Sequence, residues 1–272
     1  MTFLVLLIAL LVERFFDFGH LRHWTWVASL EAFVKTKLNA PSPWVFLAAN
    51  VLPLVVVVML VNVLLVKTLY GFPGLVFDVA VLLYCFGPRN FWADAFACIN
   101  GLITNPSAAV ETCHQAFGIE TSADAGTRYR ALLDRLFMAA NARVFGVVFW
   151  YAILGVGGAL LYRLVAFMAA QNEASEPAKM SLLVLDWAPV RLITLIFALA
   201  GNFTKVIVIW PKKAVLGLVN GDAMLVDCGI AGVGEDIANI PDDGKFLRAA
   251  VSMLDRTFII ALVVLLVGGI IL

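Results

Sequence analysis

Charge is scarce in this 272-residue chain: Asp, Glu, Lys and Arg make up 14% of it, against about 25% in a soluble globular domain. Lys and Arg together number 19, as do Asp and Glu, so no excess of either sign points to a nucleic-acid partner. Cysteine is limited to Cys85, Cys98, Cys113 and Cys228, without a Cys-x-x-Cys pair. The histidines His20, His23 and His114 do not join them at a zinc-like spacing. Four free, buried thiols and no metal centre are the expectation. No Ser-His-Asp, His-Glu-x-x-His or paired-Cys arrangement marks a hydrolase or redox site. The opening apolar run Thr2 to Val12 has no Lys or Arg before it and no small-x-small cleavage site after it, so it is read as retained.

Apolar residues are abundant instead: 62% of the chain is hydrophobic, which excludes an ordinary soluble enzyme. Val45 to Val66 is 22 residues without a charge, about 33 Å as a helix and enough to cross a bilayer core of roughly 30 Å. Val144 to Ala170 is interrupted by Arg163 alone, and Thr257 to Leu272 is uncharged. Three weaker runs are Thr2 to Val12, Gly74 to Phe86 with Asp78 inside it, and Leu182 to Pro211 with Asp186, Arg191 and Lys205. Lys and Arg sort by segment: 15 fall in 13–43, 87–143 and 205–256, and 2 (Lys67 and Lys179) in the alternate loops. Cytoplasmic loops carry such an excess. The fold expected is therefore all-α, a polytopic helical membrane protein and one membrane domain over 1–272. It has about four to six membrane segments (2–12, 45–66, 74–86, 144–170, 182–204, 257–272) and cytoplasmic helical excursions over 13–43, 87–143 and 205–256. The first and third segments span, tilt or re-enter.

The excursions read as folded. Helices are expected over Pro88 to Ile103, over Ser107 to Phe117 closed by Gly118, and from near Ser122 through Arg143 into the next membrane run. Arg128, Arg130 and Arg135 form a solvated or headgroup-facing set, with capture of an anionic ligand or nucleotide as the alternative. Gly229-Ile-Ala-Gly-Val-Gly234 lacks the Lys-Ser/Thr of a phosphate loop and is followed by Glu235-Asp236, so a helix-breaking turn is expected there. Pro241-Asp242-Asp243-Gly244 reads as a second turn. His20 and His23 beside Trp24 and Trp26 read as an interfacial belt, and Asp78 as an acid at a helix end.

Ionisable groups inside apolar runs are informative, because each costs roughly 2.5–3.5 kcal/mol at a helix centre on insertion scales. Asp186 and Arg191 flank Pro189, which removes a backbone donor and frees carbonyls nearby. They form a structural ion pair, line a ligand site, or lie on an interfacial helix in water. Tyr162-Arg163 follows the small-residue stretch Gly155-Val-Gly-Gly-Ala159, which lets a neighbouring helix approach. Arg163 either snorkels to the headgroups or faces Asp186. With Asn141 and Arg143 at one membrane boundary and Asn202 at another, Asn141, Arg143, Tyr162, Arg163, Asp186, Arg191 and Asn202 are the candidate ligand-binding set around one polar cavity.

Val148-Phe-Trp150, Leu154-Gly-Val-Gly-Gly-Ala-Leu-Leu-Tyr-Arg163, Leu185-Asp-Trp-Ala-Pro-Val-Arg-Leu192 and Ala200-Gly-Asn-Phe203 resemble the AmpE/CobD (CbiB) superfamily of bacterial inner-membrane proteins. Val12-Glu-Arg14, Phe86-Gly-Pro-Arg89 and Ala249-Ala-Val-Ser252 support the match in family order. The CobD-type pattern carries Glu-Asn and then Asp before its Phe-Trp block, where this chain has Ala140-Asn141 and Arg143. It carries a double acid where this chain has Asp186-Trp187, and Pro-Gly-Ala where this chain has Gly157-Gly-Ala159. Those departures resemble the AmpE branch, which implies an inner-membrane regulatory or sensor protein linked to β-lactamase induction and cell-wall signalling. The CobD branch implies an ATP- and Mg-dependent amide synthesis in the corrinoid pathway, or a related one, as the alternative. The partners expected are the bilayer, a small anionic or cell-wall-derived ligand and no nucleic acid, with oligomerisation left open.

Overall fold

A computed structural model describes residues 2–15, 24–37, 42–67, 71–87, 90–104, 106–119, 125–171, 176–215, 217, 220–234 and 244–271. In chain order the helices are α1 (Thr2–Phe15), α2 (Thr25–Lys37), α3 (Pro43–Val66), α4 (Phe72–Cys85), α5 (Phe91–Thr104), α6 (Pro106–Phe117) and α7 (Ala125–Ala140). A π turn (Asn141–Phe145) leads into α8 (Gly146–Ala170), followed by α9 (Glu176–Ala200), α10 (Phe203–Ala214), α11 (Gly221–Val233) and α12 (Gly244–Ile271). No strand occurs among the described residues, and the fold is all-α. His20, His23, Arg89, Ser122 and the turn at Pro241-Asp242-Asp243 lie outside the described residues.

Among the described residues four helical stretches are long and apolar enough to cross a membrane: Pro43–Val66, Tyr129–Ala170, Glu176–Ala200 and Lys245–Gly268. The chain is a membrane protein. Helices α1 and α4 have 14 residues each, about 21 Å of helix against a roughly 30 Å hydrocarbon core. Helix α3 begins where Ser42 accepts the Val45 N–H at 3.3 Å and Pro43 occupies the first turn, which has no use for its missing donor. It leaves Leu52, Val56, Leu60 and Leu64 exposed, a face suited to lipid.

The described residues divide into two compact units, the first comprising 1–90 and 146–185 and the second 91–145 and 186–272. In the first, α1 packs on α4 and α8, and α3 packs on α2, α4 and α8. Val5, Leu6 and Ala9 of α1, Leu82 of α4, and Tyr151 and Tyr162 of α8 are buried in its core. A Cβ on Gly157 would stand 2.6 Å from Met59 Cγ, so the small residues of α8 do admit a close neighbour. Gly155 adopts φ 65°, a left-handed backbone that only glycine takes easily, and kinks α8 there.

One expectation fails in this unit. Asp78 is not at a helix end but in the middle of α4, where its carboxylate accepts the Tyr151 hydroxyl at 2.9 Å and an Asn62 amide hydrogen. A carboxylate can lie at that depth because donors from α3 and α8 replace its water.

The second unit contains α5, α6, α7, the π turn, α9 from Asp186, and α10, α11 and α12. Helices α5 and α6 form a tight hairpin, in which a Cβ on Gly101 would lie 2.8 Å from that of Ala109. The hairpin brings Cys98 and Cys113 to a Cα separation of 5.2 Å, and they are joined as a disulfide. This corrects the expectation of four free thiols, since helix pairing rather than local spacing made the contact. Cys85 and Cys228 lie outside that disulfide and are buried.

The helix-breaking turn expected over Gly229 to Gly234 is also corrected, because α11 runs through Gly229 and Gly232 and ends only at Gly234, with φ 105°. A Cβ on Gly229 would meet the Phe137 ring at 2.7 Å, and one on Gly232 the Met253 sulfur at 2.7 Å. These glycines make room for neighbours within the helix. The run Leu182 to Pro211, by contrast, is two helices, broken at Gly201-Asn202.

Candidate functional site

The long helical stretch Tyr129–Ala170 changes its hydrogen-bond register over Asn141–Phe145. One π turn adds a residue to the helix, redirects the side chains around it, and recurs at functional sites. Asn141 and Arg143 both lie in it. Asn141 is 3% exposed, and its Nδ2 donates to the Asp186 carboxylate at 2.8 Å. Its Oδ1 is buried and has no hydrogen-bond partner among the described residues. The structure thus brings together two of the candidate residues, 45 apart in sequence.

Arg143 is committed elsewhere. It pairs with Asp94 at 3.0 Å, donates to the Ala116 carbonyl at 2.6 Å, and lies 5.5 Å from the centroid of the Phe117 ring. It ties the π turn to α5 and to the C-terminal turn of α6, where a cation is favoured by the unpaired carbonyls. Asp94 is the partner that sequence reasoning missed, since nothing local links residues 49 apart.

Arg191 does not bridge to Asp186. Its guanidinium donates to Ala214 O at 2.8 and 3.2 Å, to Gly217 O at 3.1 Å and to Trp187 O at 2.9 Å, and stacks 4.4 Å over the Trp187 ring. Five helical positions separate Asp186 and Arg191 by roughly 140°, so the two side chains point apart. Ala214 is the last residue of α10, and Arg191 satisfies its terminal carbonyl. Asn202 likewise serves a helix end: its Oδ1 accepts Lys205 N at 3.1 Å at the start of α10.

In the first unit, Tyr162 is fully buried against Gly146, where a Cβ would lie 2.3 Å from the phenol carbon. Arg163 is 9% exposed and lies over the Trp24 ring at 5.6 Å, so it does not snorkel to the surface. Pro189 leaves the carbonyl of Leu185 without its helical donor, and the Trp150 indole supplies one at 3.1 Å.

Outside the membrane stretches, Lys213 pairs with Asp227 at 2.5 Å. The neighbouring Cys228 thiol is pushed up to about 12 by burial and then by the Asp227 carboxylate, with Lys213 opposing. Arg130 pairs with Asp134 at 3.4 Å on a half-exposed face. Arg143 stands where the corrinoid pattern carries an acid, and among the described residues no three His, Cys, Asp or Glu side chains converge on a common point.

The chain is similar to a protein AmpE of Shigella flexneri, 26% identical over 286 residues covering 97% of this chain and 96% of the relative. No solved structure matches it. The model of a family described as regulatory signalling modulator protein AmpE matches residues 1–271, and the chain belongs to that family.

Proposed function

We propose that this chain is an inner-membrane regulatory or sensor protein acting in β-lactamase induction and cell-wall signalling, with its three basic segments on the cytoplasmic side. Membership of a family of signalling modulators supports the role. The observation that carries the site is the π turn that buries Asn141 against Asp186 with one amide oxygen unpartnered. A buried polar atom without a partner costs about 1–3 kcal/mol, and a ligand donor removes that cost. A carboxylate beside it adds a second acceptor, so the pair favours a ligand that presents N–H or O–H groups on a small or cell-wall-derived molecule. Signalling then consists of ligand occupancy biasing the register of the π turn.

The test compares β-lactam-induced β-lactamase in a strain lacking the gene with the same strain carrying wild type, Asn141→Ala or Asp186→Asn. Induction should change with the deletion and return with wild type only, while membrane levels of the variants match. Induction that is the same with and without the gene overturns the role. Rescue of a CobD-deficient cobalamin auxotroph would establish amide synthesis instead. Reporter fusions near Glu176 and Asn220 should report opposite sides of the membrane, and a common side refutes the orientation.

A further inference from the structure

Between the α9–α10 turn, the C-terminal end of α11 and the face of α12 lies a cavity of about 290 Å³, lined among others by Gly201, Asn202, Gly232, Gly234, Ala249 and Arg256. Three of these are glycines and one is alanine, so little side chain fills it. Gly201 is held against α11 so closely that a Cβ would stand 2.1 Å from the Gly232 carbonyl oxygen.

Among the described residues its polar side chains are Asn202 and Arg256, and both offer donors. Arg256 donates from Nε to Ser252 O at 3.3 Å, and its two terminal nitrogens have no hydrogen-bond partner among the described residues. Asn202 uses its Oδ1 to cap α10, which leaves the amide nitrogen free to donate. Among the described residues no acidic side chain lines the cavity. The carbonyl of Gly234 accepts from Lys205 Nζ at 2.7 Å, which places a second cation beside the site. Uncommitted donors, one of them charged, around a space of this size favour a compact oxyanion with several acceptor atoms. Gly201-Asn202 follows the end of the long apolar helix α9, and Arg256 lies within α12 immediately before its uncharged stretch from Thr257, so the cavity sits beside the end of one apolar helix and the start of the uncharged part of another.

We propose that this cavity binds a phosphate group, carried by an anionic phospholipid or by a small soluble phosphate, with Arg256 and the Asn202 amide as its donors. None of the residues around Asn141 and Asp186 line it, and it stands whether or not the regulatory role does.

The test uses the full chain purified in dodecyl maltoside, with the thermal unfolding midpoint followed as phosphatidylglycerol, phosphatidylcholine, glycerol 3-phosphate or inorganic phosphate is added. A ligand that binds only the folded chain raises the midpoint in a saturable way. Response to phosphatidylglycerol but to neither soluble phosphate assigns a lipid source. Response to the soluble phosphates assigns a free one. In either case Arg256→Gln and Asn202→Asp should each weaken binding at least about tenfold, the loss expected for one hydrogen bond to a charged group. Asn202→Asp keeps the capping oxygen and therefore the start of α10, while Arg256→Lys should recover part of the affinity. Arg248→Gln, whose side chain reaches Asn100 on α5 and lies outside the cavity, should bind as wild type. No response to any phosphate, equal response to phosphatidylcholine, or equal weakening by Arg248→Gln and Arg256→Gln overturns the proposal.

Discussion

Gly201→Ala tests the packing that joins the turn after α9 to the end of α11. The new Cβ would lie 2.1, 2.8 and 3.1 Å from the oxygen, carbonyl carbon and Cα of Gly232. All three are backbone atoms, so no side chain can swing aside. Relief requires the two segments to separate, which breaks the hydrogen bond from Asn202 N to Gly232 O, now 2.8 Å. Overpacking costs about 1–3 kcal/mol and the lost bond about 1 kcal/mol. The reduced freedom of the unfolded chain returns about 0.4–1 kcal/mol, leaving a net destabilisation of about 1–3.6 kcal/mol. Gly221→Ala supplies the contrast, because the nearest atom to its Cβ is Val190 Cγ2 at 3.9 Å. That change should stabilise by about 0.4–1 kcal/mol. Unfolding by SDS titrated into dodecyl maltoside micelles, followed by tryptophan fluorescence, measures both. A Gly201→Ala protein as stable as wild type, or the same loss in both variants, refutes the steric argument.

The Arg143–Asp94 pair, with side chains 20% and 16% exposed, should lose about 2–3 kcal/mol on either Arg143→Gln or Asp94→Asn, somewhat less than for a fully buried pair. The double variant should cost less than the sum, and strict additivity in the same unfolding assay denies the coupling. Cys228, its thiol pushed up to about 12, stays protonated in the folded chain while an unfolded thiol ionises near pH 8.5. Its contribution to stability is therefore complete below about pH 8.5 and is lost as pH rises toward about 12. Cys228→Ala should flatten that part of the stability profile, and an unchanged profile refutes the assignment. On the proposed orientation, which puts 87–143 in the cytoplasm, Cys98 and Cys113 should be thiols in acid-quenched cells and close on isolation, when denatured protein labels at Cys85 and Cys228 alone. A bond already present in quenched cells puts α5 and α6 on the other side of the membrane.

Helix identity was legible because hydropathy is a property of composition. The run Val45 to Val66 became Pro43–Val66, and the helix expected to close at Gly118 ended at Phe117. Contacts between distant residues were not legible. Trp92 donates to Asp255 across 163 residues and Arg143 to Asp94 across 49, and no local pattern announces either. The π turn was equally silent, since Asn141 to Phe145 has a composition that suits an α-helix as well. What decides its register is the fit of Asn141 to Asp186 and of Arg143 to α5 and α6, which exists only once the chain is folded.

Most of the polar residues inside apolar runs answer a demand of the backbone. A membrane helix can leave no N–H or C=O without a partner, so each interruption of helical bonding must be met from within the protein. Pro189 frees the Leu185 carbonyl and Trp150 reaches it; α10 ends at Ala214 and Arg191 takes its carbonyl; α10 begins at Phe203 and Asn202 caps it. A charge in an apolar run therefore points first to a nearby helix end. Asn141 departs from that pattern, because it serves no helix end and keeps a buried oxygen without a donor. That difference, and not its position in an apolar run, is what makes Asn141 with Asp186 the candidate for a ligand.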